Sequence, residues 1–349
     1  MAVLALGFTS IIAQTIVLRE FLCVFSGNEL VIGIVLANWM ILTGAGAFLG
    51  KFTDRITGRL TSLTVLLGVG AIVPLVTIFL LRSLRNLIFP IGSLIGIGES
   101  FYGSFVLLMP WCLVAGALFT LLARIVSEAQ QANRVAEVYS LESAGSVIGG
   151  ICFNTVIVFF LSTFQALILL GLLNLAVCLV LSSKHARRLG VYVATALIFL
   201  LVIVAVAFNL DDITRGFMFR DQSLLFQKDT PYGNLTVTKQ GEQISFFENS
   251  VLLFSSNDVP TNEEAVHYAM VQHHEPKAVL IVSGDIAGMA GEVLKYGVTQ
   301  VDFVEINPWL IEVQKRFASA PIDPRIHFVI EDARRYLRHA STQYDVVLL

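Results

Sequence analysis

The chain is short of charge and of paired cysteine. Asp, Glu, Lys and Arg make up only 14% of its 349 residues, and 56% are hydrophobic; soluble domains carry about 25% charged residues. Its four cysteines, Cys23, Cys112, Cys152 and Cys178, stand singly in apolar runs. No Cys-x-x-Cys and no Cys/His grouping occurs, so neither a disulfide framework nor a zinc site is supported, and no metal is expected. The first apolar stretch lacks a basic leading region and runs into Arg19-Glu20, unlike a signal peptide. A basic face is missing as well. Residues 211–349 hold 12 Lys/Arg against 19 Asp/Glu, a net of −7, which argues against nucleic acid as a partner.

What the first part has instead is long apolar runs. A bilayer core of about 30 Å takes about 20 apolar residues in a helix. The stretches 3–18, 30–50, 62–81, 101–123, 138–161, 163–182 and 190–208 meet that length roughly. The segment 87–98 is apolar but short and broken by Pro90, so it reads as re-entrant or interfacial and leaves the count at seven or eight. An α-helical transmembrane bundle over residues 1–210 follows, with the lipid bilayer as partner and a multi-pass location in the cell membrane. Gly44, Gly46 and Gly50, and later Gly145, Gly149 and Gly150, have the spacing that lets helices approach closely in lipid. Arg19, Glu20, Glu99 and Glu142 lie in or beside spans, where charge is costly and is a functional candidate by default. The basic loops around Lys51, Arg55 and Arg59 and around Lys184, Arg187 and Arg188 belong on the cytoplasmic side. With seven spans, residues 209–349 then emerge on the other side, outside the cytoplasm.

From Arg215 the texture changes. Leu235–Thr238 and Ile244–Phe247 are short β-prone runs around Lys239-Gln-Gly-Glu, which suggests a small antiparallel sheet in a subdomain at 211–262. A helix is expected over 262–271, capped by Thr261 or Asn262. Strands at 277–282, 301–305, 326–330 and 345–349 then alternate with helices at 287–296, 308–318 and 333–339. That order predicts a parallel, doubly wound α/β sheet over 263–349.

Ligands of such sheets bind outside the carboxyl ends of the strands. Three acids fall there. Asp285 follows the first strand in the turn Ser283-Gly284…Gly288, Glu305 ends the second, and Asp332 follows the third. A carboxylate at the second strand end accepts hydrogen bonds from ribose hydroxyls; Asp332 is placed for a base edge, and the small turn lets a ligand approach the backbone. The structural counterpart is that Asp285 and Asp332 cap the helices behind them. His273-His274-Glu275 reads as a polar helix end, Pro231–Asn234 as a turn and Trp309 as packing.

These residues resemble the polyamine aminopropyltransferases (spermidine synthases), in the group with an N-terminal membrane bundle. GFTSIIAQTIVLREF at 7–21 and VYSLESAGSVIGG at 138–150 are similar to that group's membrane segments. The resemblance implies a small β domain followed by a Rossmann-like, methyltransferase-type sheet. It implies transfer of an aminopropyl group from decarboxylated S-adenosylmethionine to an amine such as putrescine, leaving methylthioadenosine. Decarboxylated S-adenosylmethionine is then the co-substrate, with S-adenosylmethionine or methylthioadenosine as alternatives. On the matching positions, Gln222 falls where the family sets a glutamine against the nucleoside, and Glu263 and His267 on its amine-facing acid and histidine. Glu305 falls on the ribose glutamate, Asp332-Ala333 on the pair near the adenine, and EVLKYGV at 292–298 on the helix after the glycine loop.

The departures bear on catalysis. Where the family has Gly-Gly-Gly-Asp-Gly-Gly, this chain has Ser283-Gly284-Asp285-Ile286-Ala287-Gly288, so the amine-binding aspartate falls on Ile286. Gly291 stands at a family arginine, and the proton-accepting aspartate would follow Leu349. The parallel sheet is therefore expected to be incomplete and the 349-residue chain inactive. Two functions stay open at this point: aminopropyl transfer, or a catalytically degenerate nucleoside- or polyamine-binding domain on a membrane transporter or sensor. Assembly into a homo-oligomer is open as well.

Overall fold

The computed structural model describes residues 2–25, 29–52, 58–89, 95–185, 187–318 and 321–349. It separates into two compact units, Met1–Arg220 and Asp221–Leu349.

The first unit is helical: α1 (Ala2–Val24), α2 (Glu29–Gly50), α3 (Arg59–Ile88), α4 (Ile97–Ala129), α5 (Val135–Cys152, continuing through a π-helical turn to Phe160), α6 (Thr163–Lys184), α7 (Arg188–Ala207) and the short α8 (Leu210–Met218). Among the described residues, seven of these helices are long and apolar enough to cross a membrane. Residues 90–94, the centre of the short apolar segment, lie outside the described residues; its flanks complete α3 and begin α4.

Two of the glycine series make close helix crossings. A Cβ on Gly46 would stand 2.5 Å from Leu113 O, and one on Gly116 2.1 Å from Thr43 O, so α2 and α4 touch backbone to backbone. Gly145 and Gly149 do the same for α5 against α1, 2.2 Å from Leu4 O and 2.7 Å from Phe8 O. Gly44 and Gly150 face open space instead.

The charged candidates in or beside the apolar helices each find a local partner. Arg19 lies over the Phe153 ring, Glu99 caps α4 by accepting from Gly96 N at 2.8 Å, and Ser146 donates to Glu142 at 3.4 Å. Glu20 enters a buried cluster. Arg82 donates to both its oxygens at 2.8 and 2.6 Å, and Arg215 and Thr163 donate to Oε1, each at 2.9 Å.

The second unit begins with a four-stranded antiparallel meander: β1 (Ser223–Asp229), β2 (Asn234–Gln240), β3 (Gln243–Glu248) and β4 (Val251–Ser255). Helix α9 (Val259–Met270) is followed by β5 (Ala278–Val282), α10 (Met289–Leu294), β6 (Gln300–Glu305), α11 (Pro308–Phe317), β7 (Ile326–Ile330), α12 (Ala333–His339) and β8 (Val346–Leu348). The last four strands form one parallel sheet in the order β7-β6-β5-β8. The chain winds outward from β5 to β7 and then returns to the far side of β5, so successive connections diverge at the β5/β8 pair. The ligand crevice of an open α/β sheet forms at such a reversal.

Helix α9 starts three residues before the expected point. Asp258, not Thr261 or Asn262, is the cap, accepting from Thr261 N, and Pro260 occupies the first turn, where a missing N–H costs nothing. One face of the parallel sheet carries Val279, Ile281, Val301, Phe303 and Ile326 into a core with Val266 and Met270 of α9, Ala290 and Val293 of α10 and Ile311 of α11. The antiparallel sheet packs on α11 through Val237, Phe246, Val313 and Phe317. This contact brings the end of β3 to the carboxyl end of β6.

Candidate nucleoside site

The turn after β5 is built for close approach. Ser283 has φ +59° and Gly284 +120°. The first is a left-handed conformation that a non-glycine residue rarely holds, and the second is glycine territory. Gln314 of α11 holds the turn from below, donating to Gly284 O at 3.1 Å and accepting from Ile286 N at 2.8 Å. A Cβ on Gly288 would fall 2.1 Å from the Asn262 amide nitrogen and 2.3 Å from Asp285 Oδ2, so a side chain there would displace both groups.

Glu305 sits at the tip of the neighbouring strand, 4% exposed. Ser283 Oγ donates to its Oε2 at 2.6 Å, and Asn307 N donates to its Oε1 at 2.8 Å. Each carboxylate oxygen keeps a second lone pair, the acceptor capacity that a ribose diol requires. Asn307 also donates from its side chain to Glu248 of β3 at 3.0 Å. Burial, together with the nearby Glu305 charge and against the Asn307 hydrogen bond, holds the Glu248 carboxyl above its ordinary range.

Asp332 is exposed at the tip of β7 and caps α12, accepting from Arg335 N at 3.1 Å, with Ala333 as the first helical residue. The capping reading of this acid is therefore realised, and its exposure leaves it accessible to a ligand as well. Asp285 is different. It is buried, accepts from Ala287 N at 2.9 Å and lies 3.4 Å from the Asn262 amide, so its carboxylate shapes the turn. Ile286 is 3% exposed and belongs to the apolar core. No carboxylate at that position is available to a cation.

Gln222 is half-buried, and its side-chain oxygen accepts from Thr238 Oγ1 at 2.5 Å within the antiparallel sheet. Glu263 and His267 do come together, and Glu292 of α10 joins them: ligand atoms of the three lie within 4.8 Å of one another. His267 Nδ1 hydrogen-bonds the Tyr296 hydroxyl at 2.7 Å, and Glu292 ion-pairs with Lys295 at 2.5 Å. Glu263 is exposed and Glu292 buried, so the group grades from solvent into the protein. His273 follows α9 rather than ending it and lies 3.8 Å from Asp345. Trp309 meets Tyr232 and Lys228, which ties the Pro231–Asn234 turn to the start of α11.

Sequence reasoning missed Asn307, Gln314, Glu292 and Tyr296. It also missed a polar cluster on the second face of the sheet, where buried Asp302 accepts from Gln300 at 2.9 and 3.0 Å, Tyr344 at 2.5 Å and Tyr336 at 3.3 Å. Burial pushes the Asp302 carboxyl up, but the hydrogen bonds from Tyr344, Gln300, His327 and Tyr336 outweigh it and hold the carboxyl below the ordinary aspartate range. Because Tyr336 lies on α12, the cluster fastens the helix that carries Asp332. Of the missed residues, only Asn307 left a local signal, an Asn directly before a helix-starting Pro.

Residues 259–349 match the spermine/spermidine synthase domain. The chain is similar to the polyamine aminopropyltransferase of Oceanobacillus iheyensis, 28% identical over 229 residues, covering 61% of this chain and 44% of the relative. It is also similar to polyamine aminopropyltransferase 1 of Streptomyces coelicolor, 30% identical over 258 residues, covering 66% of this chain and 47% of the relative. The chain thus spans less than half the length of these relatives. Among solved structures, a spermidine synthase in complex with the transition state analogue AdoDATO matches at 22% identity and a TM-score of 0.33, over 36% of this chain and 46% of that one.

Proposed function

We propose that this protein is a multi-pass protein of the cell membrane whose second unit binds an S-adenosylmethionine-type donor and transfers its aminopropyl group to a small amine such as putrescine. The observation that carries this reading is the Ser283–Glu305–Asn307 arrangement beside the Gly284 turn, at the carboxyl ends of β5 and β6. Glu305 accepts from the ribose hydroxyls, Asp332 faces the base edge, and the glycine turn admits the sulfonium end of decarboxylated S-adenosylmethionine. The match of residues 259–349 to the spermine/spermidine synthase domain supports the same donor.

In the reaction, the amine nitrogen attacks the carbon next to sulfur. A C–N bond forms, the C–S bond breaks with its electrons going to sulfur, and methylthioadenosine leaves. The nitrogen must shed a proton for this. With Ile286 in the core, the cationic tail of the amine has to be held elsewhere. The Glu263–His267–Glu292 group is the carboxylate-bearing cluster suited to that task.

The test is incubation of the protein at its natural full length with decarboxylated S-adenosylmethionine and putrescine, with products followed by mass spectrometry. Spermidine and methylthioadenosine formed in equal amounts support transfer. Hydrolysed donor with no aminopropylated amine contradicts it.

A further inference from the structure

Helix α8 is amphipathic in the reverse sense. Its buried stripe is Asp211, Thr214, Arg215 and Met218, at helical spacing and mostly polar; its exposed stripe is Asp212, Ile213, Gly216 and Phe217, with exposed Arg220 just past the helix end. The buried stripe is fully accounted for. Arg82 of α3 donates to Asp211 at 3.0 Å and to Thr214 at 2.9 Å, Ser162 donates to Asp211 at 2.5 Å, and Arg215 reaches Glu20 of α1. Asn86 of α3 donates to the carbonyls of Phe217 and Met218, both at 2.8 Å.

These partners locate α8 on the bundle. Glu20, Arg82 and Asn86 lie near the carboxyl ends of α1 and α3, and Ser162 caps the amino end of α6. Helix α7 ends at Ala207, two residues before Asn209 caps α8. In an up-and-down path of seven helices, all four of those ends fall on one side. A 20-residue helix such as α7 measures about 30 Å, the thickness of the hydrocarbon core. The chain therefore reaches α8 as it leaves that core, at headgroup depth. There the side chains turned outward are Ile213, 41% exposed, and Phe217, 46% exposed, continuous with exposed Phe208 and Val206 at the end of α7.

We propose that α8 is an interfacial membrane helix, with its polar stripe clamped onto the bundle and Ile213 and Phe217 seated in the headgroup–acyl boundary of the bilayer. Interfacial helices bury an apolar face to about 5–10 Å in that boundary. Asp212 and Arg220 flank the apolar pair, as charges do that stay among headgroups. The lipid surface is the occupant because the chain delivers this face to the bilayer surface directly from a span. The proposal rests on the reading that the first unit spans a bilayer, and its test separates the two claims.

The protein is reconstituted into phosphatidylcholine vesicles with Phe217→Trp or, separately, Met40→Trp, the latter midway along α2 and 75% exposed. The emission each variant adds to that of the native tryptophans is measured with lipids brominated near the headgroup and near the acyl terminus. The expected result is loss of the added emission in Phe217→Trp with headgroup-proximal bromine, and in Met40→Trp with deep bromine. Met40→Trp quenched but Phe217→Trp unquenched by either lipid overturns the interfacial assignment, with the face covered by another part of the protein or by a second copy. Neither variant quenched overturns the spanning reading and α8 with it.

Discussion

The side-chain amide of Asn307 donates to Glu248 at 3.0 Å while its backbone N–H donates to Glu305 at 2.8 Å, so one residue joins the antiparallel sheet to the tip of β6. Two carboxylates are held near each other by a single neutral group. Replacing Glu248 with Gln keeps an acceptor for Asn307 and removes the charge. Because the folded pKa of Glu248 is raised, its contribution to stability is present below the ordinary carboxylate range and is lost as pH rises through the folded value. Glu248→Gln is therefore expected to raise the urea midpoint at neutral pH, with the gain shrinking toward pH 4. A lowered midpoint at neutral pH contradicts this.

Asp302 carries the opposite sign. Its folded pKa is depressed, so its contribution is present above the ordinary aspartate range and lost as pH falls through the folded value. Asp302→Asn leaves the Tyr344 and Tyr336 hydroxyls with a weaker acceptor and costs about 1–3 kcal/mol. Urea unfolding at neutral pH reads this loss, and the difference from wild type narrows as the solution is acidified. Donor affinity falls in the same variant, because α12 and Asp332 are held by Tyr336.

Close helix approach predicts a contrast between two glycines of the bundle. Gly116→Leu drives a side chain into Thr43 O, whereas Gly44→Leu meets open space. Overpacking costs about 1–3 kcal/mol, more where backbone is the obstacle. Thermal unfolding in detergent is expected to drop for Gly116→Leu and to stay near wild type for Gly44→Leu. Equal effects refute the crossing.

The buried ion cluster makes a third kind of prediction. Arg82 is fully buried between Glu20 and Asp211, and removing one partner from such a cluster costs about 3–5 kcal/mol, since a charge is left without compensation. Arg82→Met destabilises the helical unit strongly. Adding Glu20→Gln to it recovers part of the loss. Stability assays in detergent on the single and double variants measure this; an additive double variant contradicts the coupling.

Much of this fold is written in local pattern. Seven apolar runs became, among the described residues, seven helices long and apolar enough to cross a membrane, because helix length and hydropathy are local properties, and the β/α alternation of residues 277–349 gave the parallel order for the same local reason. The edges of the antiparallel sheet were hidden. VLLFS of β4 is a continuous apolar run without alternation, and SLLFQKD of β1 contains a bulge between Leu224 and Phe226 that breaks the two-residue period. The start of α9 was misread because Asn257, Asp258, Pro260, Thr261 and Asn262 crowd five turn- or cap-forming residues into six positions. At the site, the acids at the strand tips were legible from topology. Gln314, Glu292 and Tyr296 were not, because each acts across a distance that only packing creates.

In the proposed complex Glu305 receives the ribose. The measurement that addresses it most directly is a calorimetric cycle: methylthioadenosine and its 2′-deoxy analogue, each titrated into the wild-type protein and into Glu305→Ala. A hydrogen bond to a charged acceptor is worth about 1.5–3 kcal/mol, roughly tenfold or more in affinity. Wild type is expected to prefer the ribo compound by about that factor, and the variant to bind both alike, more weakly. The same preference in both proteins, or no saturable binding by wild type, would contradict it.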